Sequence, residues 1–214
     1  MNEQTDNDLH DMTRDELIAE VKRLRQMTFV EPEKPVEYLK IVVFSILIAC
    51  LYGIAHDLVT TQVCIEYFLP PVHPMIVPTA NPFLLALTWG IVATWWVGLL
   101  LGVPLVAVCR FGRKPKLSVK EIVSPVLFML LILYVASMLL GMVGYIAKQM
   151  GLRLIPPYFE TIIAPERFSQ FQFALFAHNA AYLFGTIGGF VLMFRLWKKR
   201  QTLAQSTHYN SHIV

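Results

Sequence analysis

The sequence has few charged residues and little cysteine, and it lacks the short motifs that name a reaction. Only 15% of its 214 residues are charged, whereas 56% are hydrophobic, a composition that excludes an ordinary soluble domain. The net charge of +3 gives no evidence for nucleic-acid binding, because the basic residues lie in the connections between apolar runs. The three cysteines form no CxxC pair and fit poorly with a disulfide framework. No HExxH, GxSxG or paired acidic motif is present.

Long apolar runs are what the sequence has instead. Four of them are long enough, or nearly so, to cross a bilayer as helices, at residues 39–58, 83–109, 124–147 and 171–197. They predict an all-α polytopic membrane protein whose four-transmembrane-helix bundle occupies residues 36–198. Cytoplasmic tails at 1–35 and 199–214 would flank the bundle, and its main partner would be the lipid bilayer.

The distribution of basic residues predicts the orientation. Most of the 18 Lys and Arg residues precede the first run, follow the fourth, or lie between the second and third. The connection at 59–82 contains none. The positive-inside rule then places both termini in the cytoplasm, and an even number of spans agrees with their lying on the same side. Because the start of the chain is polar and acidic, we expect no cleavable signal peptide.

A short helix is predicted within the N-terminal tail. Thr13 and Glu16 have the spacing of a capping box, and Leu17, Val21 and Leu24 share one face of the helix that would follow. This helix could dock a protein partner or promote self-association, or it could lie solvated or on the membrane surface.

Small residues recur at helical spacing in the apolar runs and predict close helix packing, since helices in lipid associate where their backbones can approach. The residues concerned are Gly90, Gly98, Gly102, Gly141, Gly185 and Gly189. These faces could also support self-association.

Two histidines interrupt the apolar runs at matched depth. At ~1.5 Å per residue, His56 and His178 lie roughly 24–26 Å along their helices from Lys40 and Arg195, the nearest charged residues towards the cytoplasm. Both are therefore expected in the outer leaflet of a ~30 Å hydrocarbon core. Polar groups at that depth are costly, so they should face a partner, a cavity or an ion.

Several polar residues accompany the two histidines and define a candidate polar site. Tyr52 and Thr60 share the helical face of His56, and Tyr182 shares that of His178. Asp57 and Asn179 follow the two histidines directly in the sequence.

The two acidic candidates have weaknesses as metal ligands. Asp57 is ~100° around the helix from His56, so the two side chains are not expected to point at the same ion. Glu66 can join them only if the first helix breaks before it.

Four interpretations of these residues stay open. His56 and His178 could ligate a metal ion, with Asp57, Glu66 or His73 completing the shell. The two histidines could instead ligate a haem, or a His–Asp couple could support proton transfer, redox or hydrolytic chemistry. In the fourth interpretation the residues form an interhelix hydrogen-bond network in a non-enzymatic scaffold or complex subunit.

The segment Y-G-I-A-H-D at 52–57, followed by E-Y-F at 66–68, resembles the signature of a family of small bacterial four-helix integral membrane proteins of unassigned function. Similarity extends through 84–98 and reappears at 178–182, so that it covers residues 45–198. In that family a polar residue often follows the Asp, where this chain has Leu58. The resemblance implies a bacterial inner-membrane location, and it implies no reaction, substrate or cofactor.

Overall fold

The computed structural model describes residues 13–28 and 35–210, and every regular element in those residues is helical. Four stretches are long and apolar enough to cross a membrane: Pro35–Val63, Pro82–Arg110, Val119–Gln149 and Pro165–Ser206. The predicted all-α architecture with four membrane-crossing helices is therefore confirmed.

The N-terminal helix α1 (Arg14–Thr28) belongs to a unit of its own. The Thr13 amide and hydroxyl donate to the Glu16 carboxylate at 2.8 and 2.7 Å, and the Glu16 amide donates back to the Thr13 hydroxyl at 3.4 Å. This is the capping box that the sequence predicts. A role of α1 in partner docking stays a prediction.

The second unit contains two helical hairpins. Its helices are α2 (Pro35–Val63), α3 (Pro82–Val92), α4 (Trp95–Arg110), α5 (Val119–Gln149), α6 (Pro157–Glu160) and α7 (Phe168–Asn210). Helix α2 packs antiparallel against α3 and α4, and α5 packs antiparallel against α7. We call the end that carries the connections at 64–81 and 150–164 the distal end. The opposite end, with the α4–α5 connection, is the proximal end.

Glycines lie at the closest helix contacts. A Cβ atom on Gly90 would come within 2.6 Å of the Ile54 Cα, and one on Gly98 within 2.6 Å of the Ser45 carbonyl oxygen. Helices α2, α3 and α4 thus touch through their backbones at these two positions. The other small residues face these neighbours: Gly102 faces Ser45, Gly141 faces Phe173 and Ala177, Gly185 faces Leu133, and Gly189 faces Leu101.

The second membrane-crossing stretch breaks in its middle, although the apolar run at 83–109 predicted one continuous helix. The Thr94 hydroxyl donates to the Gly90 carbonyl, and the Thr94 amide bonds to Ile91 three residues back, at 3.2 Å. A threonine hydroxyl that takes a carbonyl of the preceding turn competes with the helical ladder and bends the helix. Helices α3 and α4 can therefore follow different directions.

Arg200 is buried at the proximal end, within the segment predicted as a C-terminal tail. It is only 3% exposed. Its guanidinium donates to four backbone carbonyls, those of Val108, Phe111, Lys114 and Pro115, at 2.5–3.0 Å. Because the last carbonyls of a helix have no partner within it, Arg200 caps the end of α4. Helix α7 itself continues to Asn210.

The distal connection folds back over the bundle. Helix α2 ends at Val63, and a 3₁₀ turn follows at Ile65–Phe68. The Glu66 carboxylate accepts hydrogen bonds of 2.8 and 3.0 Å from Arg167, at the start of the fourth membrane-crossing stretch. The Phe68 ring is buried beneath the turn. Residues 64–69 therefore do not extend the first membrane helix.

Candidate metal centre and its cavity

The structure brings His56, Asp57 and His178 together between α2 and α7. The Asp57 Oδ1 atom lies 3.2 Å from His56 Nδ1 and 3.2 Å from His178 Nε2. One ligand atom from each residue lies within 4.8 Å of the other two. The rings of the two histidines are 4.6 Å apart, centroid to centroid, and nearly perpendicular. His56 and Asp57 are buried, and the His178 side chain is 13% exposed.

The position of Asp57 corrects the expectation drawn from helical geometry. The two Cβ directions differ by ~100°, but Nδ1 is the imidazole nitrogen nearest its own backbone and lies within reach of the next residue's carboxylate. His178 on α7 also reaches Asp57, so that Oδ1 lies 3.2 Å from one nitrogen of each ring. Asp57 is thus the centre of the cluster.

His178 and Asp57 turn two hydrogen-bond acceptors towards each other, so a positively charged species is needed between them. His178 Nδ1 is 2.8 Å from the Ala174 carbonyl. A carbonyl can only accept, so Nδ1 carries a proton. In the neutral ring, Nε2 is then unprotonated and can only accept a hydrogen bond. It nevertheless faces the Asp57 carboxylate oxygen. Two acceptors at 3.2 Å need a proton or a metal cation between them.

His56 is short of a partner as well. Its Nε2 atom is buried without a hydrogen bond in the described part of the chain, with the Ala177 carbonyl as the neighbouring acceptor. Metal-bound histidines in proteins usually direct their second nitrogen to a carbonyl or carboxylate. Each of the two rings directs one nitrogen towards a backbone carbonyl of α7, but only His178 does so with good hydrogen-bond geometry.

A cavity of about 180 Å³ opens beside the cluster. Asp57, His56 and His178 form part of its wall, and the side chain of Tyr182 lies at its edge. Small and hydroxylic groups line the part between α2 and the α3–α4 break: Gly53, Ala93 and Thr94. The remaining lining residues are Tyr67, Phe68, His73, Trp89 and Ala181.

Aromatic rings form the distal wall of the cavity. The Tyr67 ring stacks on His178 with centroids 4.5 Å apart, and Phe68 meets His178 edge-on at 5.5 Å. His73 lies 5.0 Å from Tyr67 and 4.9 Å from Trp89. Its Nδ1 atom hydrogen-bonds to the Tyr67 carbonyl.

The distal wall carries no charge near neutral pH. Burial lowers the pKa of His73 and raises the pKa of Tyr67, so that both side chains stay neutral. Burial, with a further contribution from Glu66, raises the pKa of the nearby Cys64 thiol to about 12. The distal wall therefore adds no charge to the cavity.

Besides Tyr182, which lines the cavity, four residues of the predicted polar site lie outside the cluster. Asn179 is exposed, since it follows His178 on the helix and points away from α2. Glu66 is past the end of α2, as the metal interpretation required, but its carboxylate binds Arg167. The Thr60 hydroxyl donates to the His56 carbonyl at 3.2 Å, and Tyr52 contacts Ser137 at 3.4 Å.

The geometry does not fit the haem alternative. Two imidazoles that ligate one haem iron lie on opposite faces of the macrocycle, with the whole ring system between them. Here the two rings touch edge to face, with centroids 4.6 Å apart. No macrocycle fits between them.

Sequence reasoning missed most of the cavity wall. Tyr67 and Phe68 entered only as part of a signature, and Trp89 entered only as part of the similar stretch at 84–98. Trp89 lies just before Gly90 and Thr94, the two residues at the helix break. The break itself depends on one side-chain hydrogen bond, which no hydropathy pattern reveals.

Comparison of the chain with protein-family models, with curated proteins and with solved structures finds no match. The resemblance to a bacterial four-helix family therefore stays a prediction from the residues that carry it.

Proposed function

We propose that this membrane protein binds one divalent transition-metal ion through His56, Asp57 and His178. The observation that carries the proposal is the pair of 3.2 Å separations from Asp57 Oδ1 to the two imidazole nitrogens. Adjacent ligand atoms held at ~2.0–2.1 Å by one ion lie ~2.8–3.0 Å apart in octahedral and ~3.3–3.4 Å apart in tetrahedral geometry. The two imidazole nitrogens lie within 4.8 Å of each other and would move closer together around the ion.

The donor set selects the kind of metal. Two imidazoles and one carboxylate suit zinc, ferrous iron or another first-row ion better than calcium or magnesium, which prefer oxygen ligands. Three protein ligands leave at least one coordination position unfilled, which distinguishes catalytic from structural zinc sites. A bound ion would supply Lewis acidity or an activated water at the wall of the cavity.

The protein's own residues would prepare this site. The Ala174 carbonyl fixes the tautomer of His178, so that Nε2 is the free nitrogen. Burial of His56 and Asp57 keeps bulk water from competing for the ion. The Thr60 and Thr61 hydroxyls bond to carbonyls of their own helix at 3.2 and 2.7 Å and leave the carboxylate unshared.

We further propose that the protein resides in a bacterial inner membrane with both termini in the cytoplasm and the distal end outward. The concentration of Lys and Arg at the proximal connections supports this orientation. The metal centre would then lie in the outer leaflet.

Metal stoichiometry in matched variants tests the proposal. Purified protein is stripped with a chelator, reloaded with Co²⁺ or Zn²⁺ and analysed for bound metal and for the visible spectrum of cobalt. We expect about one ion per chain, with at least a tenfold loss of affinity in His56→Ala, Asp57→Asn and His178→Ala. His73→Gln, which changes a histidine of the same cavity outside the cluster, is the control and should bind normally.

The alternative function gives a different pattern. If the three residues form only a hydrogen-bond network that joins α2 to α7 in a scaffold protein, the wild type binds no stoichiometric metal. The same substitutions would then lower only the thermal stability.

A further inference from the structure

Helices α4 and α7 pack closely in the proximal half, whereas α3 and α7 are apart in the distal half. Leu101 of α4 packs against Gly189 of α7, where an added Cβ would lie 3.1 Å from the leucine. Helix α3 makes no comparable contact with α7 among the described residues. Ala93 and Thr94, at the break between α3 and α4, line the cavity that lies in the gap. The break thus opens a space between α3 and α7.

This space faces the hydrocarbon of the bilayer. Tyr182 lines the cavity and is nevertheless 45% exposed, and Ala181 beside it is half-buried. Tyr182 lies ~20 Å along α7 from Arg195, which is within a ~30 Å hydrocarbon core. The turn at Ile65–Phe68, with Phe68 buried, covers the distal side. The exposed edge of the cavity therefore opens sideways towards lipid.

The walls of the cavity favour a flat, uncharged ring that carries oxygen atoms. Tyr67, Phe68 and Trp89 offer ring faces and edges, and aromatic rings pack well against other rings. A divalent ion held by Asp57 and the two imidazoles would offset the negative charge of the carboxylate and leave nothing to attract an organic cation. A volume of about 180 Å³ exceeds the ~150 Å³ of an engineered cavity that holds benzene.

We propose that the cavity binds the headgroup of a tailed quinol that enters sideways from the lipid between α3 and α7. The ring lies against the aromatic wall, and one hydroxyl oxygen reaches the cluster of His56, Asp57 and His178. The hydrocarbon tail leaves past Ala181 into the bilayer. This inference deepens the proposed function and rests on it, since the quinol oxygen would reach the position that the three protein ligands leave open.

Binding of decylubiquinol to protein in lipid nanodiscs tests the inference, with metal content measured on the same samples. The wild type should bind the quinol saturably. Ala181→Trp should weaken binding at least tenfold by filling the mouth, while metal content stays unchanged. Leu183→Trp is the matched control: Leu183 is 56% exposed on the same helix and does not line the cavity. Its quinol affinity should equal that of the wild type.

Three results would overturn the inference. They are the absence of saturable quinol binding to metal-loaded wild type, equal binding by wild type and Ala181→Trp, and displacement of the quinol by an equal concentration of decanol. If Ala181→Trp does not fold, Ala93→Phe is the substitute variant, because Ala93 lines the same cavity at the α3–α4 break. Metal binding without quinol binding refutes this inference alone, and quinol binding without metal refutes the metal site alone.

Discussion

Replacement of Arg200 by lysine should destabilise the protein far more than the conservative change suggests. The Arg200 guanidinium donates to four carbonyls at the end of α4 and in the connection that follows. An ammonium group is a compact point charge with three donors and cannot reproduce the planar fork. The substitution therefore leaves some of these carbonyls without a partner.

The cost follows from the hydrogen bonds lost. Hydrogen bonds to charged groups contribute ~1.5–3 kcal/mol each. Loss of one or two of the four, partly offset by water at the proximal end, gives a destabilisation of ~2–4 kcal/mol. For a chain of this size each kcal/mol lowers the melting temperature by ~2–4 °C, so we expect a decrease of ~4–16 °C.

Thermal unfolding of the purified protein in detergent measures this effect. Arg195→Lys is the control, because it makes the same chemical change on the same helix at an exposed position, and its melting temperature should stay within ~2 °C of the wild type. Equal melting temperatures for the two variants would refute the capping role of Arg200.

Three further predictions concern the distal connection and the helix contacts. Because the pKa of the Cys64 thiol is raised to about 12, maleimide should label Cys64 at pH 8 at least ~100-fold more slowly in the folded than in the unfolded protein; equal rates would contradict the burial of this thiol. Burial opposes ionisation of Glu66, but the hydrogen bonds from Arg167 outweigh it and lower the pKa of Glu66. Its carboxylate therefore stabilises the fold above pH 4.5 and loses this effect as the pH falls. Glu66→Gln should therefore make the melting temperature depend less on pH on the acid side. Parallel pH profiles for the variant and the wild type would count against the ion pair. Gly90→Val should cost ~1–3 kcal/mol by forcing α3 away from α2, whereas Gly185→Val, with its nearest neighbour at 3.6 Å, should cost less in the same melting assay; similar losses would show that the Gly90 contact is not tight.

The helical architecture was accessible from sequence because hydrophobicity and length alone determine which segments can cross a bilayer. The spacing of Gly90 and Gly98 indicated the faces at which α2, α3 and α4 touch. The break at Thr94 was not accessible, since a single side-chain hydrogen bond decides it within an apolar run. From sequence, Arg200 counted only as one of the basic residues that set the membrane orientation. Its capping role was not accessible, because its carbonyl partners lie far away in the sequence.

The candidate site, too, was only partly accessible from sequence. Helical depth placed His56 and His178 at one level, and the cost of polar groups at that depth indicated that they face a partner, a cavity or an ion. The arrangement of Asp57 depends on the direction from which α7 approaches, which no single-helix argument contains. The aromatic wall depends on how residues 64–81 fold back, and the four prolines in that connection indicate only that it is not a continuous α-helix.

X-ray absorption spectroscopy of zinc-loaded protein tests the central claim most directly, because it reports the atoms bound to the metal. The account predicts one ion per chain with two imidazole nitrogens and at least one oxygen at ~2.0–2.1 Å, and loss of this signal in Asp57→Asn. A sulfur ligand at ~2.3 Å, a shell of oxygen atoms alone, or an unchanged spectrum in Asp57→Asn would contradict the account.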